Sequence, residues 1–113
     1  MSINFETSEP NRLLATFKKA IDDKKVVTWS YDSEGDFTHT PDQWKYKAWL
    51  RPKVYQGKLT MIIMGRKEEK MPLEVYSVYH GRFIESMIDH CRTLFTVGSA
   101  TALPTTSDNA QVA

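Results

Sequence analysis

Histidine, cysteine and carboxylate side chains are the groups of this 113-residue chain that could carry catalysis or bind a metal ion. His80 and Cys91 share the apolar face of one predicted helix, but a rise of ~1.5 Å per residue places them about 16 Å apart. One zinc ion needs its ligand atoms at ~2.0–2.3 Å, so these two side chains cannot share it. His90 and Cys91 are neighbours that point about 100° apart on a helix. The spacing therefore predicts no metal site and no cofactor.

Covalent catalysis by Cys91 would need an exposed thiol with a lowered pKa and a histidine base beside it. Cys91 instead lies in the middle of the apolar stripe, which predicts burial and an unreactive thiol. His80 lies on the same stripe, where a hydrogen-bonded core histidine is the favoured interpretation. The sequence contains no nucleophile elbow, paired-carboxylate motif or glycine-rich phosphate loop. We therefore expect a protein that is not an enzyme.

An acidic segment follows the first predicted strand and is similar to the first half of an EF-hand calcium loop. Asp32, Glu34 and Asp36 are spaced two residues apart. A loop that begins at Asp32 would need glycine at its sixth position and glutamate at its twelfth, where this chain has Phe37 and Gln43. Ordinary turn chemistry is therefore the favoured interpretation of these residues.

The strongest signal is the segment from Trp44 to Lys58, WKYKAWLRPKVYQGK, which combines aromatic and cationic side chains without any acid. Its alternation predicts a strand, because successive side chains of a strand point to opposite faces. One face would carry Trp44, Tyr46, Ala48, Leu50, Pro52 and Val54. The other face would carry Lys45, Lys47, Trp49, Arg51, Lys53 and Tyr55. Since Pro52 cannot donate to a ladder, this strand should lie at an edge or contain a bulge.

The basic and aromatic face of this strand is the candidate binding surface. Aromatic and arginine side chains are typical anchors for a protein partner. Aromatic rings among cations also suit single-stranded nucleic acid, because bases stack on rings while phosphates pair with the cations. A third interpretation is that the lysine stems only cover the wet face of a sheet. We expect a binding protein whose partner is another protein, a peptide or a second copy of the chain, with nucleic acid as the alternative.

Net charge does not choose between these partners, because 15 basic and 14 acidic residues leave a formal charge of +1. The charges are nevertheless segregated along the chain. Residues 32–42 carry four acids and no base, whereas residues 43–58 carry five bases and no acid. The acidic segment could therefore fold back and neutralise part of the basic strand.

Cysteine content and hydropathy indicate the cellular compartment in which the protein is expected. The single cysteine excludes an internal disulfide and a four-cysteine zinc site. No apolar run approaches the ~18 residues of a membrane span, so we expect no membrane partner. The first ten residues, MSINFETSEP, lack the pattern of a secretory signal. These features predict a cytoplasmic protein.

The elements that position these residues follow from periodicity and turn signals. A helix begins near Pro10 with Ser8 as its cap, and a second helix runs from about Ser77 to Phe95. The apolar stripe of the second helix carries His80, Ile84, Met87, Ile88, Cys91, Leu94 and Phe95. Strands are predicted at 26–31, at 44–55 and at 58–65, with a short fourth strand at 71–76 and a helical turn after Thr40. The last two long strands form a hairpin across Gln56-Gly57.

This order of elements, α-β-β-β-(β)-α, predicts a two-layer α+β domain. An antiparallel sheet of three to four strands packs against two helices in this prediction. The domain extends over residues 8–96. Residues 1–7 are predicted to be flexible. Residues 97–113 are predicted to form a disordered tail, because these seventeen residues are mostly small and polar.

Overall fold

A computed structural model describes residues 2–105, 108–110 and 112, which contain a six-stranded antiparallel sheet and two helices. The strands are β1 (Ile3–Glu6), β2 (Trp29–Tyr31), β3 (Phe37–His39), β4 (Ala48–Tyr55), β5 (Lys58–Gly65) and β6 (Val97–Ala100). The helices are α1 (Pro10–Asp22) and α2 (Leu73–Cys91). The strand order in the sheet is β2-β3-β4-β5-β1-β6. The predicted α+β class with an antiparallel sheet is confirmed.

The prediction of three to four strands in the order α-β-β-β-(β)-α is wrong, and two of the additional strands lie near the chain ends. The segments predicted to be flexible, 1–7 and 97–113, contribute β1 and β6. β1 lies between β5 and β6, and its Ile3 and Phe5 are fully buried. Four residues with two apolar positions give too short an alternation to indicate a strand. The sheet partners on both sides of β1 therefore determine its conformation.

The third additional strand lies inside the long connection after β2. β3 pairs with β2 and places Phe37 and His39 in the core. The sequence gives no clear strand signal here, because β3 has only one apolar side chain, Phe37, and follows an acidic segment that contains a glycine. The expected helical turn is present after it, since the N–H groups of Trp44 and Lys45 both donate to the carbonyl of Pro41 at 2.8 and 2.9 Å.

The second helix begins earlier and ends earlier than predicted. Residues 71–76 do not form a strand: Met71 is buried, and Pro72 directly precedes the first helical residue, Leu73. A proline fixes its own φ and suits a helix entrance, so the helix starts where a short fourth strand was predicted. The predicted cap of α1 is also wrong, because the N-cap residue is Glu9 and not Ser8, and no side chain caps this helix. The hydroxyl of Thr7 accepts the N–H of Glu9 at 3.0 Å.

Aromatic side chains of both helices fill the core on one face of the sheet. Phe83 of α2 is the centre of this cluster, with ring centroids of Trp29 at 5.0 Å, Phe17 at 5.2 Å, Phe37 at 5.7 Å and Phe5 at 6.1 Å. Since Phe17 belongs to α1 while the other three rings come from strands, both helices cover the same face of the sheet. Within the described residues, neither helix combines the length and the apolar character that crossing a bilayer requires.

Candidate binding face

The face of β4 and β5 that points away from the helices contains the predicted binding residues. Leu50 and Ile63 are fully buried under the helices, so the residues that alternate with them point to the other side. Register pairs Trp49 with Met64, Arg51 with Ile62, Lys53 with Thr60 and Tyr55 with Lys58. We call these eight residues the outer face. The predicted residues Trp49, Arg51, Lys53 and Tyr55 therefore lie in one row.

Lys45 and Lys47 are exposed but do not belong to that row. Residues 44–47 form turns, and β4 begins only at Ala48. Tyr46, which was predicted to share the core face, is 54% exposed and has a left-handed φ of 60°. The prediction of a strand from Trp44 is wrong because the helical turn after Pro41 and the N–H of Tyr46, which donates to Thr38 Oγ1 at 3.1 Å, hold this backbone in another conformation.

Trp49 and Met64 form the apolar centre of the outer face. They are direct cross-strand neighbours, and both side chains are partly exposed. Ile62 lies two residues from Met64 on the same face and is almost covered, at 9% exposure. Directly opposed side chains of antiparallel strands have Cβ atoms about 4.5–5.5 Å apart, so the indole and the thioether can form one continuous surface.

Arg51 is held by the acidic segment that precedes it. Its Nε donates to Asp36 Oδ1 at 2.9 Å and its Nη2 to Asp36 Oδ2 at 2.8 Å, and Glu34 lies 3.6 Å away. The hydrogen bonds that Arg51 donates to Asp36, reinforced by the charge of the carboxylate, raise the pKa of the Arg51 guanidinium. The side chain of Asp36 is only 4% exposed, so this carboxylate would be a costly buried charge without its partner. The acidic segment therefore does fold back and neutralise part of the basic strand.

The acids of this segment act as turn residues. Asp32 Oδ1 accepts the N–H groups of Glu34 and Asp36 at 2.9 and 3.0 Å, and Gly35 takes a φ of 82° between them. This arrangement matches the turn chemistry predicted for the segment. It also positions Asp36 for its contact with Arg51.

Lys53, Tyr55 and Lys58 occupy the end of the outer face near the hairpin turn. Lys53 is exposed, and Tyr55 is 44% exposed. The Nζ of Lys58 lies 5.4 Å from the centroid of the Tyr55 ring, a cation–π distance. Gly57, at a φ of 83°, closes the turn between the two strands.

Sequence reasoning found the β4 half of the outer face and missed the β5 half. The predicted strand at 58–65 includes Met64, Ile62 and Lys58, but the prediction did not say which residue of β4 lies opposite each of them. The signal was available: a two-residue turn at Gln56-Gly57 opposes Tyr55 to Lys58 and so determines each subsequent pair.

Cys91 is buried away from this face, and its thiol is not available for chemistry there. Cys91 is 2% exposed, and burial raises the pKa of its thiol to about 11. The thiol is therefore protonated at neutral pH, as an unreactive core cysteine would be. Among the described residues, no three His, Cys, Asp or Glu side chains come together in a way that could hold a metal ion.

Two histidines, His39 and His80, are core residues. His80 Nδ1 lies 2.6 Å from the carbonyl of Tyr76, whose ring stacks on the imidazole at 3.9 Å. His39 Nδ1 lies 2.6 Å from the carbonyl of Thr28, and its ring packs on Trp29 at 4.5 Å. Burial lowers the pKa of both imidazoles below the ordinary value of 6.5.

Acidification should therefore destabilise the fold. Because the folded state holds His39 and His80 neutral, the unfolded chain binds more protons once the pH falls below 6.5. The free energy of unfolding should decrease through the window between 6.5 and the lower folded pKa values, by at most ~1.4 kcal/mol per pH unit for each histidine. Urea unfolding at several pH values measures this slope.

Single substitutions show which histidine causes the pH dependence of the free energy of unfolding. His80→Gln should make the pH dependence shallower below pH 6.5, whereas His90→Gln, at an exposed position of the same helix, should leave it unchanged. Equal slopes in the wild type and in His80→Gln would show that His80 is not the titrating group.

Comparison with known proteins adds no family to these observations. The chain matches no protein-family model, no curated protein and no solved structure. The function therefore has to be argued from the outer face itself.

Proposed function

We propose that this is a cytoplasmic, non-enzymatic binding protein that holds another protein or a peptide on its outer face, with Trp49 as the anchor. The observation that carries the proposal is the Trp49–Met64 pair. Both side chains are partly exposed, and they lie on the face opposite the two helices. A domain with a full aromatic core on its other face does not need a second apolar centre for its own stability.

The chemistry of the outer face suits a protein partner. Tryptophan and tyrosine are enriched among the residues that dominate binding energy, and methionine adapts to irregular apolar surfaces. Lys53 and Lys58 place cations at the hairpin end of the row, where a carboxylate of the partner could pair with them. Such rim charges affect the association rate and the choice of partner more than the affinity.

Single-stranded nucleic acid is the second candidate, because Trp49 and Tyr55 lie in one row and could each stack a base. The charges favour it less. Arg51 is already paired with Asp36, and Lys45 and Lys47 precede the strand. Fewer cations therefore remain beside the rings for successive phosphates, and a protein partner is the preferred proposal.

The decisive experiment compares Trp49→Ala with Tyr46→Ala, which removes an exposed aromatic side chain outside the outer face. A partner identified with the wild-type chain by crosslinking and mass spectrometry should bind Trp49→Ala at least about 30-fold more weakly, the ~2 kcal/mol of a hot-spot residue. Tyr46→Ala should bind normally. Sedimentation of the purified chains tests whether the partner is a second copy. A dimer should then form in the wild type and in Tyr46→Ala, and should be weakened in Trp49→Ala.

Different outcomes would contradict different parts of the proposal. Binding that survives Trp49→Ala would remove the outer face as the site. Measurable binding of a mixed oligonucleotide at physiological salt, weakened by ~1–3 kcal/mol in Trp49→Ala, would favour nucleic acid instead. Its affinity should then fall with salt, with a slope of ~0.7 in log K for each neutralised phosphate.

A further inference from the structure

A basic cleft lies at the opposite end of the β4–β5 hairpin from the turn. Lys47 and Arg66, just outside the two strands, line it together with Glu69, Lys70, Met71 and Pro72. Its volume is about 380 Å³, within the range of about 300–1,000 Å³ that is typical of small-molecule pockets. Three cationic side chains therefore converge on one concavity against a single carboxylate.

Arg66 is oriented rather than free. Its Nε donates to the carbonyl of Tyr46 at 2.8 Å, and its Nη1 lies 3.7 Å from Glu69 Oε2. These contacts fix the plane of the guanidinium between the turn before β4 and the loop after β5. Within the described part of the chain, the Nη2 group has no hydrogen-bond partner. A guanidinium held in this way presents the planar donor geometry that suits an oxyanion.

The backbone around the cleft takes an uncommon conformation on both sides. Tyr46, next to Lys47, has a φ of 60°, and Glu68, between Arg66 and Lys70, has a φ of 63°. A left-handed conformation is uncommon at a non-glycine residue and persists only where its surroundings enforce it. Here the Arg66–Tyr46 hydrogen bond connects the two strained segments and holds them together around the cleft.

From the three cations, the oriented guanidinium and the volume of this open cleft, we propose that it binds a phosphate group, either as inorganic phosphate or as the monoester of a small molecule. Lys47 and Lys70 supply the point charges, and Arg66 supplies directional hydrogen bonds. Glu69 orients Arg66 and leaves the cleft cationic. Met71 and Pro72 give the cleft an apolar part that the organic group of a monoester could contact. This site is separate from the outer face and does not depend on the function proposed for it.

The test follows backbone amide chemical shifts in a ¹⁵N-labelled sample titrated with inorganic phosphate or with phenyl phosphate, at constant ionic strength maintained with sodium chloride. The wild type should show saturable shifts around residues 47 and 66–71. Lys47→Gln/Lys70→Gln should bind at least tenfold more weakly. Lys45→Gln/Lys67→Gln carries the same change of charge on neighbouring residues that do not line the cleft, and should bind like the wild type.

Each outcome has a definite meaning. Tighter binding of phenyl phosphate would identify a monoester as the ligand, and equal affinities would identify the phosphate group alone. Shifts that do not saturate, or equal weakening in both double variants, would overturn the proposal, because a general basic field would then explain the response. None of these outcomes bears on Trp49, so failure here leaves the proposal for the outer face standing.

Discussion

Replacing Phe83 by alanine should lower the free energy of unfolding by about 3–5 kcal/mol, the range found for large aromatic side chains in cores. Phe83 is 1% exposed and contacts four other aromatic rings, which come from α1, β1, β2 and β3. Its removal leaves a cavity that no single neighbour can fill, because each ring is fixed by a different element. Since domains of this size are stable by about 5–15 kcal/mol, the loss would be a large fraction of the total.

The measurement is urea unfolding, with the midpoint and the slope m determined separately. Phe83→Ala should shift the midpoint while leaving m unchanged. Ile88→Ala is the matched control, because it truncates an apolar side chain on the same helix that is 47% exposed. Ile88→Ala should lower the free energy of unfolding by well under half as much as Phe83→Ala. Similar losses in both variants would mean that α2 is rotated from the orientation described here.

That orientation shows what helical periodicity can and cannot determine. The sequence predicted a helix with His80, Met87 and Cys91 on its buried stripe, and all three are buried. It also placed Ile88 on that stripe and left out Phe83. Hydrophobicity alone does not determine the centre of a stripe to better than one residue on each side. The four ring contacts of Phe83, all made by distant segments, determine it.

The strands show a different limit. The β4–β5 hairpin could be predicted because alternation and a local turn are both present in one short segment. β1 and β6 have four residues each and partners that are distant in sequence, whereas β3 has three residues and pairs with β2 across the acidic turn. Their strand conformation comes from pairing with neighbours, which no local pattern records. Two of them lie in segments whose composition alone predicted flexibility.

The candidate site was half predictable for the same reason. Alternation placed Trp49, Arg51, Lys53 and Tyr55 on one face, and the structure has them there. The sequence could not show whether Arg51 is free to contact a partner, because this depends on a contact between β4 and the acidic segment. The separation of acidic and basic residues along the chain indicated that such a contact could form, and the structure contains it as the Asp36–Arg51 ion pair.

Truncation after Leu103, which deletes residues 104–113, should lower the free energy of unfolding by about 2–4 kcal/mol, whereas a disordered tail would predict no change. β1 pairs with β5 only from Lys58 to Met61, and Asn109 forms a single parallel bridge with Met64 in the remaining part. The N–H of Asn109 donates to the carbonyl of Ile63 at 3.0 Å, and the N–H of Gly65 donates to the carbonyl of Asn109 at 2.9 Å. Each such bond contributes about 0.5–1.5 kcal/mol net.

Asp108 is the side chain that fastens this segment. Its carboxylate accepts the N–H of Ile63 at 3.0 Å and the N–H of Thr105 at 2.7 Å. Burial acts to raise the pKa of the Asp108 carboxyl, but the hydrogen bonds to its ionised form outweigh burial and hold the pKa below its ordinary value. The ionised form is therefore the one that stabilises the fold at neutral pH, and Asp108→Asn should cost about 1.5–3 kcal/mol, the range for hydrogen bonds to a charged group.

Asn109→Ala is the control that separates side chain from backbone. The hydrogen bonds described for Asn109 use its main-chain groups and its side chain is exposed, so alanine should change stability by only about ±0.5 kcal/mol. Calorimetric melting of the truncated chain and of the two point variants gives all three values at one pH. A truncated chain with the same melting temperature as the wild type would show that the contacts of Asp108 and Asn109 with β5 do not stabilise the fold. Loss of stability in the truncated chain and in Asp108→Asn, but not in Asn109→Ala, would show that this segment is held by the Asp108 carboxylate and by backbone pairing.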